Sequence, residues 1–221
     1  MKTEIKICGL TNTTEAEWVV KAHAEYAGMV LFFESSKRNV SIQKASEMIQ
    51  RIRCISFNEK ENETKTVAVC VSPTISQALE IERLGFDFIQ IHGKLESEIF
   101  SKTTLPIIRA INNMDAWEQM KEVEEDPQKW ERIYGILFDA KTPGSGKKLD
   151  LELLKNNSFV MDQNRTKKFF LAGGLRAENV RDAIQQIVPD VVDVSSGVEM
   201  DASTVGKSHE RIIEFVKQVR N

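Results

Sequence analysis

Short β-branched and aromatic runs bounded by turn residues recur at Ile5 to Cys8, Ala27 to Phe33, Thr66 to Val71, Phe86 to His92, Pro106 to Ala110, Gly135 to Asp139, Lys168 to Ala172 and Val191 to Ser195. The pattern predicts eight strands. Between them the apolar spacing lengthens to the helical period, which predicts helices over Thr14 to Ala24, Ser41 to Ile52, Ile75 to Leu84, Met114 to Glu125, Ala177 to Ile187 and Gly206 to Val219. Thr14 and Glu17 have the spacing of a capping box. Shorter helices are expected around Glu96 to Phe100 and Asp150 to Lys155, while Arg53 to Lys65 and Lys141 to Lys148 read as exposed loops. Strands alternating with helices imply a parallel sheet of the α/β class, and a closed (β/α)8 TIM barrel uses every element without leaving an edge. A doubly wound open sheet is the alternative. No linker divides the sequence, so residues 1–221 read as one barrel domain.

Alternation within strands assigns faces. Ile5 and Ile7 belong on the helix side, which turns Lys6 and Cys8 into the barrel. The same parity turns Gln90 and His92 inward from Ile89 and Ile91, and Asp193 and Ser195 inward from Val192 and Val194. Barrel interiors are ordinarily filled by branched apolar side chains, so this many inward polar residues calls for a polar site at one end. In a closed barrel the eighth strand meets the first, which would place Lys6 beside Asp193 as a buried ion pair and set its charge near the Cys8 thiol.

Composition narrows the partner. The 221 residues carry 30 basic and 33 acidic side chains, a formal charge of −3 without a basic stripe, which gives no footprint for nucleic acid. Three cysteines, Cys8, Cys54 and Cys70, form neither a disulfide framework nor a metal-ligand spacing, so a reducing cytoplasm is expected. The first residues run into a strand instead of an apolar leader, and no stretch approaches a membrane span. A small-molecule substrate is expected, with neither nucleic acid nor membrane as partner, and the oligomeric state stays open.

Candidate chemistry sits at strand ends. Cys8, followed by Gly9, and Asp139, ending the sixth strand, can form a general base and general acid pair; the ordinary readings are a small core residue and a strand-end or capping carboxylate. Leu171-Ala172-Gly173-Gly174-Leu175 and Ser195-Ser196-Gly197 end strands seven and eight, where barrels frequently bind phosphate on backbone N–H groups. Arg38 either grips a carboxylate with its planar fork or lies in a solvated basic loop. His92 reads as a ligand, a proton carrier or a hydrogen-bonded wall residue, and with no second histidine nearby no metal site is expected. His92, Arg109 and Asp193 join Arg38, Gly174, Ser195, Ser196 and Gly197 as expected substrate-binding positions. His23 and His209 read as surface residues, and Trp18, Trp117 and Trp130 as helix packing.

Lys6-Ile7-Cys8-Gly9-Leu10-Thr11, Gln90-Ile91-His92-Gly93, Leu171-Ala172-Gly173-Gly174-Leu175 with Glu178-Asn179-Val180, and Asp193-Val194-Ser195-Ser196-Gly197-Val198-Glu199 resemble the phosphoribosylanthranilate isomerase family of tryptophan biosynthesis, in order from residue 5 to about 199. The resemblance implies a (β/α)8 barrel that needs no metal or organic cofactor. It implies Cys8 as general base, Asp139 as general acid, Arg38 on the anthranilate carboxylate, and Gly174 with Ser195 to Gly197 as phosphate cradle. The implied reaction is the Amadori rearrangement of N-(5-phosphoribosyl)anthranilate to 1-(2-carboxyphenylamino)-1-deoxyribulose 5-phosphate. Pro143-Gly144-Ser145-Gly146 departs from the family's glycine-rich segment, Leu151 replaces its aromatic residue, and Met200 to Ser208 lacks its Gly-x-Lys-Asp run. Two other functions compete. Another phosphosugar barrel isomerase or epimerase would share the cradle but call for inward His and Asp metal ligands, and a catalytically silent phosphosugar-binding barrel would keep the fold alone.

Overall fold

The computed structural model describes the chain apart from residues 1, 60–62, 112–117, 119, 122, 140–153, 155–157, 163–164 and 201–204. Eight parallel strands close into a barrel in the order β1 to β8: Glu4–Cys8, Tyr26–Val30, Lys65–Val71, Phe88–His92, Ile107–Ile111, Ile133–Phe138, Lys168–Leu171 and Val191–Val194. β8 pairs with β1, with Lys6 directly opposite Asp193. All eight expected strands are present, and closure removes the open-sheet alternative.

Around them run α1 (Thr13–Lys21), α2 (Ile42–Glu59), α3 (Ile75–Leu84), α4 (Ile99–Lys102), α5 (Pro127–Arg132), α6 (Ser158–Met161), α7 (Val180–Ile187) and α8 (His209–Arg220). Residues 118, 120, 121, 123 and 124 are also helical, within the helix expected from Met114 to Glu125. Among the described residues no helix is long and apolar enough to cross a membrane.

Several local expectations are corrected. The stretch beginning at Arg53 is no loop: α2 continues to Glu59, because Ile52 and Ile55 keep its buried face. α1 is capped by Asn12, whose side chain accepts the Glu15 N–H at 3.0 Å, while Glu17 instead pairs with Lys21 and Arg51. His23 lies in the turn beyond α1 with φ 56. Trp18 packs on His209, and Lys167 stands over Trp130. Trp117, the Lys141 to Lys148 loop with its Pro143 to Gly146 segment, Leu151 and nearly all of the Asp150 to Lys155 helix lie outside the described residues.

Strand parity divides the core as the alternation predicts. Ile5, Ile7, Ile89, Ile91, Val192 and Val194 pack under the helices, whereas Cys8, Tyr26, Val67, Val69, Phe88, Ile108, Ala110, Leu137 and Phe170 fill the barrel. At the N-terminal ends of the strands Tyr26 meets Phe88 and Phe170 edge to face, and Tyr134 leans on both. The Tyr26 hydroxyl lies 2.7 Å from that of Tyr134 and 2.8 Å from Glu4, which also takes Lys168. This ring of aromatics with its polar clasp floors the barrel and leaves the site to the opposite end.

Candidate active site

A cavity of about 630 Å³ opens at the C-terminal ends of the strands, a size suited to a small ligand. Cys8 of β1 and Asp139, just past β6, both line it. So do Arg38, His92, Gly174, Asp193, Ser195 and Ser196. The barrel therefore brings together residues spread over nearly the whole sequence. Among the described residues, every strand but β5 lends the wall a residue at or just beyond its C-terminal end.

Beneath the thiol lies the expected pair: Lys6 Nζ donates to Asp193 Oδ2 at 2.9 Å, with the lysine fully buried. Burial pushes Lys6 down, but the Asp193 carboxylate and Cys8 outweigh it and hold the ammonium above its ordinary value. For Cys8 the balance runs the other way. Burial pushes the thiol up, and the neighbouring Lys6 charge offsets only part of the rise. The expectation that Lys6 favours the thiolate is right in sign, yet the unliganded thiol is held protonated. β2 presents Gly28 opposite Cys8, and a Cβ there would stand 3.0 Å from the sulfur.

His92 faces the cavity with its Nε2 2.8 Å from Gln90 Nε2. Burial, with the Lys6 and Arg109 charges, pushes its pKa down to about 3. An amide N–H donates, so the neutral imidazole accepts at Nε2 and carries its proton on Nδ1. A group this hard to protonate is no proton carrier at neutral pH. Gln90 Oε1 and Asp193 Oδ1 are buried and have no hydrogen-bond partner among the described residues, while their residues line the cavity. Two unmet acceptors beside Cys8 suit a ligand rich in hydroxyl or N–H donors.

Arg109 is displaced from its expected place. It shares the parity of Ile107 and Ile111, which pack on the helix side, and is absent from the cavity wall. Its guanidinium donates to the Ile91 carbonyl at 2.8 Å and the Gly93 carbonyl at 2.6 Å, shaping the exit of β4 below His92.

At the β2 side, Arg38 Nε donates to Glu199 Oε1 at 2.5 Å, and Lys37 Nζ lies 2.9 Å from Glu199 Oε2. The terminal nitrogens of Arg38 make no hydrogen bond to a described residue. At the β7 and β8 side the wall consists of Ala172, Gly173, Gly174, Leu175, Ser195 and Ser196. Asn179 fastens the β7 turn, donating to the Gly174 carbonyl at 3.0 Å and accepting the Arg176 N–H at 2.8 Å. Gly197 stands behind this wall, where a Cβ would come within 2.0 Å of the Leu175 carbonyl oxygen. Gly197→Ala is therefore expected to force the two loops apart and lower the thermal midpoint by several degrees, on the order of 2–4 °C per kcal/mol at this size. A melting curve unchanged from wild type would show that the loops give way freely.

Two residues without an expected role complete the site. Glu199, 5% exposed, gathers Arg38, Lys37 and Lys207, and the fully buried Lys207 reaches Ser195 from behind. Glu199 stood within a recognised motif, but nothing in its spacing revealed its partners across the barrel. Lys207 follows Gly206 in the segment set aside for lacking the Gly-x-Lys-Asp run. A lone lysine after a glycine, just before a helix N-cap, was the available signal.

A parallel barrel with a thiol and a carboxylate at its mouth, between an arginine and a wall of glycines and serines, is equipped to move protons on a small substrate. Among the described residues no cluster of three or more His, Cys, Asp or Glu could hold a metal ion. Comparison with known proteins narrows the class. The family model described as N-(5'phosphoribosyl)anthranilate (PRA) isomerase matches residues 5–218. The N-(5'-phosphoribosyl)anthranilate isomerase of Streptococcus pneumoniae (strain ATCC BAA-255 / R6) is 35% identical over 220 residues, covering 99% of this chain and 96% of its own. The crystal structure of phosphoribosyl anthranilate isomerase from Thermotoga maritima superposes with a TM-score of 0.75 at 31% identity, with 98% of each chain covered. A phosphoribosyl anthranilate isomerase in complex with reduced 1-(o-carboxyphenylamino)-1-deoxyribulose 5-phosphate gives 0.70 at 28% identity, again over 98% of each chain. The chain belongs to the N-(5'-phosphoribosyl)anthranilate isomerase family.

Proposed function

We propose that this protein converts N-(5-phosphoribosyl)anthranilate to 1-(2-carboxyphenylamino)-1-deoxyribulose 5-phosphate in tryptophan biosynthesis, with Asp139 as general acid and Cys8 as general base. The observation that carries the assignment of roles is that these two groups, from strands three places apart around the barrel, share one cavity. Asp139 protonates the furanose ring oxygen as the C1′–O bond breaks, leaving an open-chain Schiff base. That cationic C=N acidifies the C2′ hydrogen, which Cys8 removes to give an enolamine. Protonation at C1′ and loss of the O2′ proton then yield the ketone. The leaving oxygen needs a proton and the adjacent carbon must lose one, so two groups of opposite duty serve one substrate.

Arg38 takes the anthranilate carboxylate in this reading, held by Glu199 through Nε so that the outer edge of its fork is available. The phosphate lies against Gly174, Ser195 and Ser196, with Gly197 packed close behind them on the Leu175 carbonyl. Asp193 and Gln90 receive the donors between the two ends, with His92 as wall. We also read residues 1–221 as one barrel domain, supported by strand closure from β1 to β8, and as a cytoplasmic protein, supported by the unpaired cysteines.

Steady-state turnover followed by loss of the substrate's anthranilate fluorescence tests the proposal; a purified, folded chain with no turnover would overturn it in favour of a silent phosphosugar barrel. Arg38→Ala is expected to raise KM more than it lowers kcat, because a carboxylate contact is made in ground and transition states alike. Arg38→Lys, lacking the planar fork, should recover only part. An unchanged KM in Arg38→Ala would remove this residue from the site.

A further inference from the structure

We infer that Lys207 supplies the positive charge of the phosphate cradle without touching the ligand, acting as a positioning residue through Ser195. The inference rests on the reading of Gly174 and Ser195 to Gly197 as that cradle. A phosphate dianion gathers charge as well as N–H groups, yet among the described residues the wall at β7 and β8 carries no cation of its own. Lys37 and Arg38, the two cations that the described residues place on the cavity wall, stand at the β2 side and are both paired with Glu199.

Lys207 lies directly behind the cradle. Its Nζ is 3.1 Å from the Ser195 carbonyl oxygen, 3.2 Å from Ser195 Oγ and 3.4 Å from Glu199 Oε1. An ammonium can only donate, so it occupies a lone pair of the Ser195 hydroxyl and leaves the serine proton to be offered into the cavity. The same bond polarises that hydroxyl toward an anion. Glu199 does not require this lysine for neutrality, since Arg38 and Lys37 already face it. Burying an ammonium is costly, and an apolar chain of equal length would fill the space, so the charge itself calls for a use.

The placement is built. Gly206 takes φ +138, and a Cβ on it would stand 3.0 Å from Glu15 Oε1. That close approach lets Glu15, buried in α1, accept the Lys207 backbone N–H at 3.0 Å while also holding the Thr11 N–H at 2.7 Å. The groups facing the ammonium are Glu199 after β8, Cys8 of β1, Arg38 after β2 and Glu15 of α1. Burial, the largest influence, pushes Lys207 down to about 8. In the unliganded protein the charge is thus present at neutral pH and lost on the alkaline side, and an arriving dianion holds it on.

The test is competitive inhibition of the intact enzyme by inorganic phosphate, measured from about pH 7 to about pH 9.5, the range that brackets a lysine shifted down from its ordinary value. In the wild type the phosphate Ki should rise as Lys207 loses its proton. Lys207→Met should raise Ki roughly tenfold at neutral pH and flatten the alkaline limb, with KM rising more than kcat falls. Lys207→Arg should keep neutral affinity and also lack the limb, since guanidinium stays charged. Equal Ki values and the same limb in wild type and Lys207→Met would overturn the inference. Failure of phosphate to compete in the wild type would instead overturn the cradle reading and the inference with it. Should Lys207→Met not fold, Glu199→Gln serves: loss of that carboxylate should move the limb to lower pH, and an unmoved limb counts against Lys207.

Discussion

Cys8→Ala and Asp139→Asn should each lower kcat by about 10²-fold or more while the barrel stays folded, in line with general acid–base contributions of roughly 10²–10⁴. The two losses should differ in character. Without Cys8 the ring can still open but the C2′ proton has no acceptor, so rapid quenching should catch ring-opened substrate on the enzyme. Without the Asp139 acid the ring oxygen leaves unprotonated and the intact furanose should accumulate. The wild-type thiol is held above its ordinary 9.0, so kcat/KM should climb with pH through the neutral range as the thiolate fraction grows. Cys8→Ala should lose that climb. Turnover near the wild-type rate in either variant, with normal melting, would sink the role assigned to it.

Lys6→Met is the second large change, and it reads on two scales at once. Removing the ammonium leaves the Asp193 carboxylate, 7% exposed in its side chain, without the partner now 2.9 Å away. Breaking a buried pair costs about 3–5 kcal/mol, which at this chain length lowers the thermal midpoint by roughly 10 °C. Adding Asp193→Asn should return most of that stability. It should return the thiolate only in part: Lys6, more than Lys207, pulls the Cys8 pKa downward, and removing the Asp193 charge relieves only the smaller upward push. The acidic-side pKa of kcat/KM should therefore move further up, with the full loss of activity at neutral pH and a narrowing gap as the wild-type thiol ionises. For the wild type the linkage signs agree. Lys6 is raised, so its contribution to stability is complete below the ordinary 10.5 and fades as pH rises through the folded value. Cys8 is also raised, so the unfolded chain gives up that proton first and stability declines above about 9.0. An unmoved kinetic pKa and an unchanged melting point in Lys6→Met would place the lysine outside the site.

The barrel was legible because alternation is enforced by burial: Ile5 and Ile7 could face only the helices, and that settled where Lys6, Cys8 and, by closure, Asp193 must point. Chain ends of elements were less legible because local signals compete. Asn12 and Thr14 both offer a cap, and the choice fell to Asn12, whose neighbour Glu15 folds back onto Thr11 and receives Lys207 from the other end of the sequence. The Asn- and Glu-rich stretch after Arg53 looked like a loop because its exposed face dominates its composition, while the buried positions Ile52 and Ile55 kept helical spacing. α5 is too short for a helical apolar period, and its local signal is Asp126-Pro127, the aspartate capping Gln128 and Lys129 and the proline filling a first-turn position. Arg109 was placed by its nearness to a strand end; its parity with Ile107 held the better answer. Glu199 and Lys207 take their meaning from partners across the barrel mouth, which no local spacing records.

The aromatic floor bears on how such a protein can diverge. Tyr26, Phe88, Tyr134 and Phe170, clasped by Glu4 and Lys168, close the strands at the end remote from Cys8 and Asp139. Exchanges in the loops after β2, β7 and β8 leave these contacts untouched, so a lineage can reshape what the mouth accepts while the same closure goes on folding the chain. Heritable novelty and heritable stability are then written into opposite ends of the same eight strands.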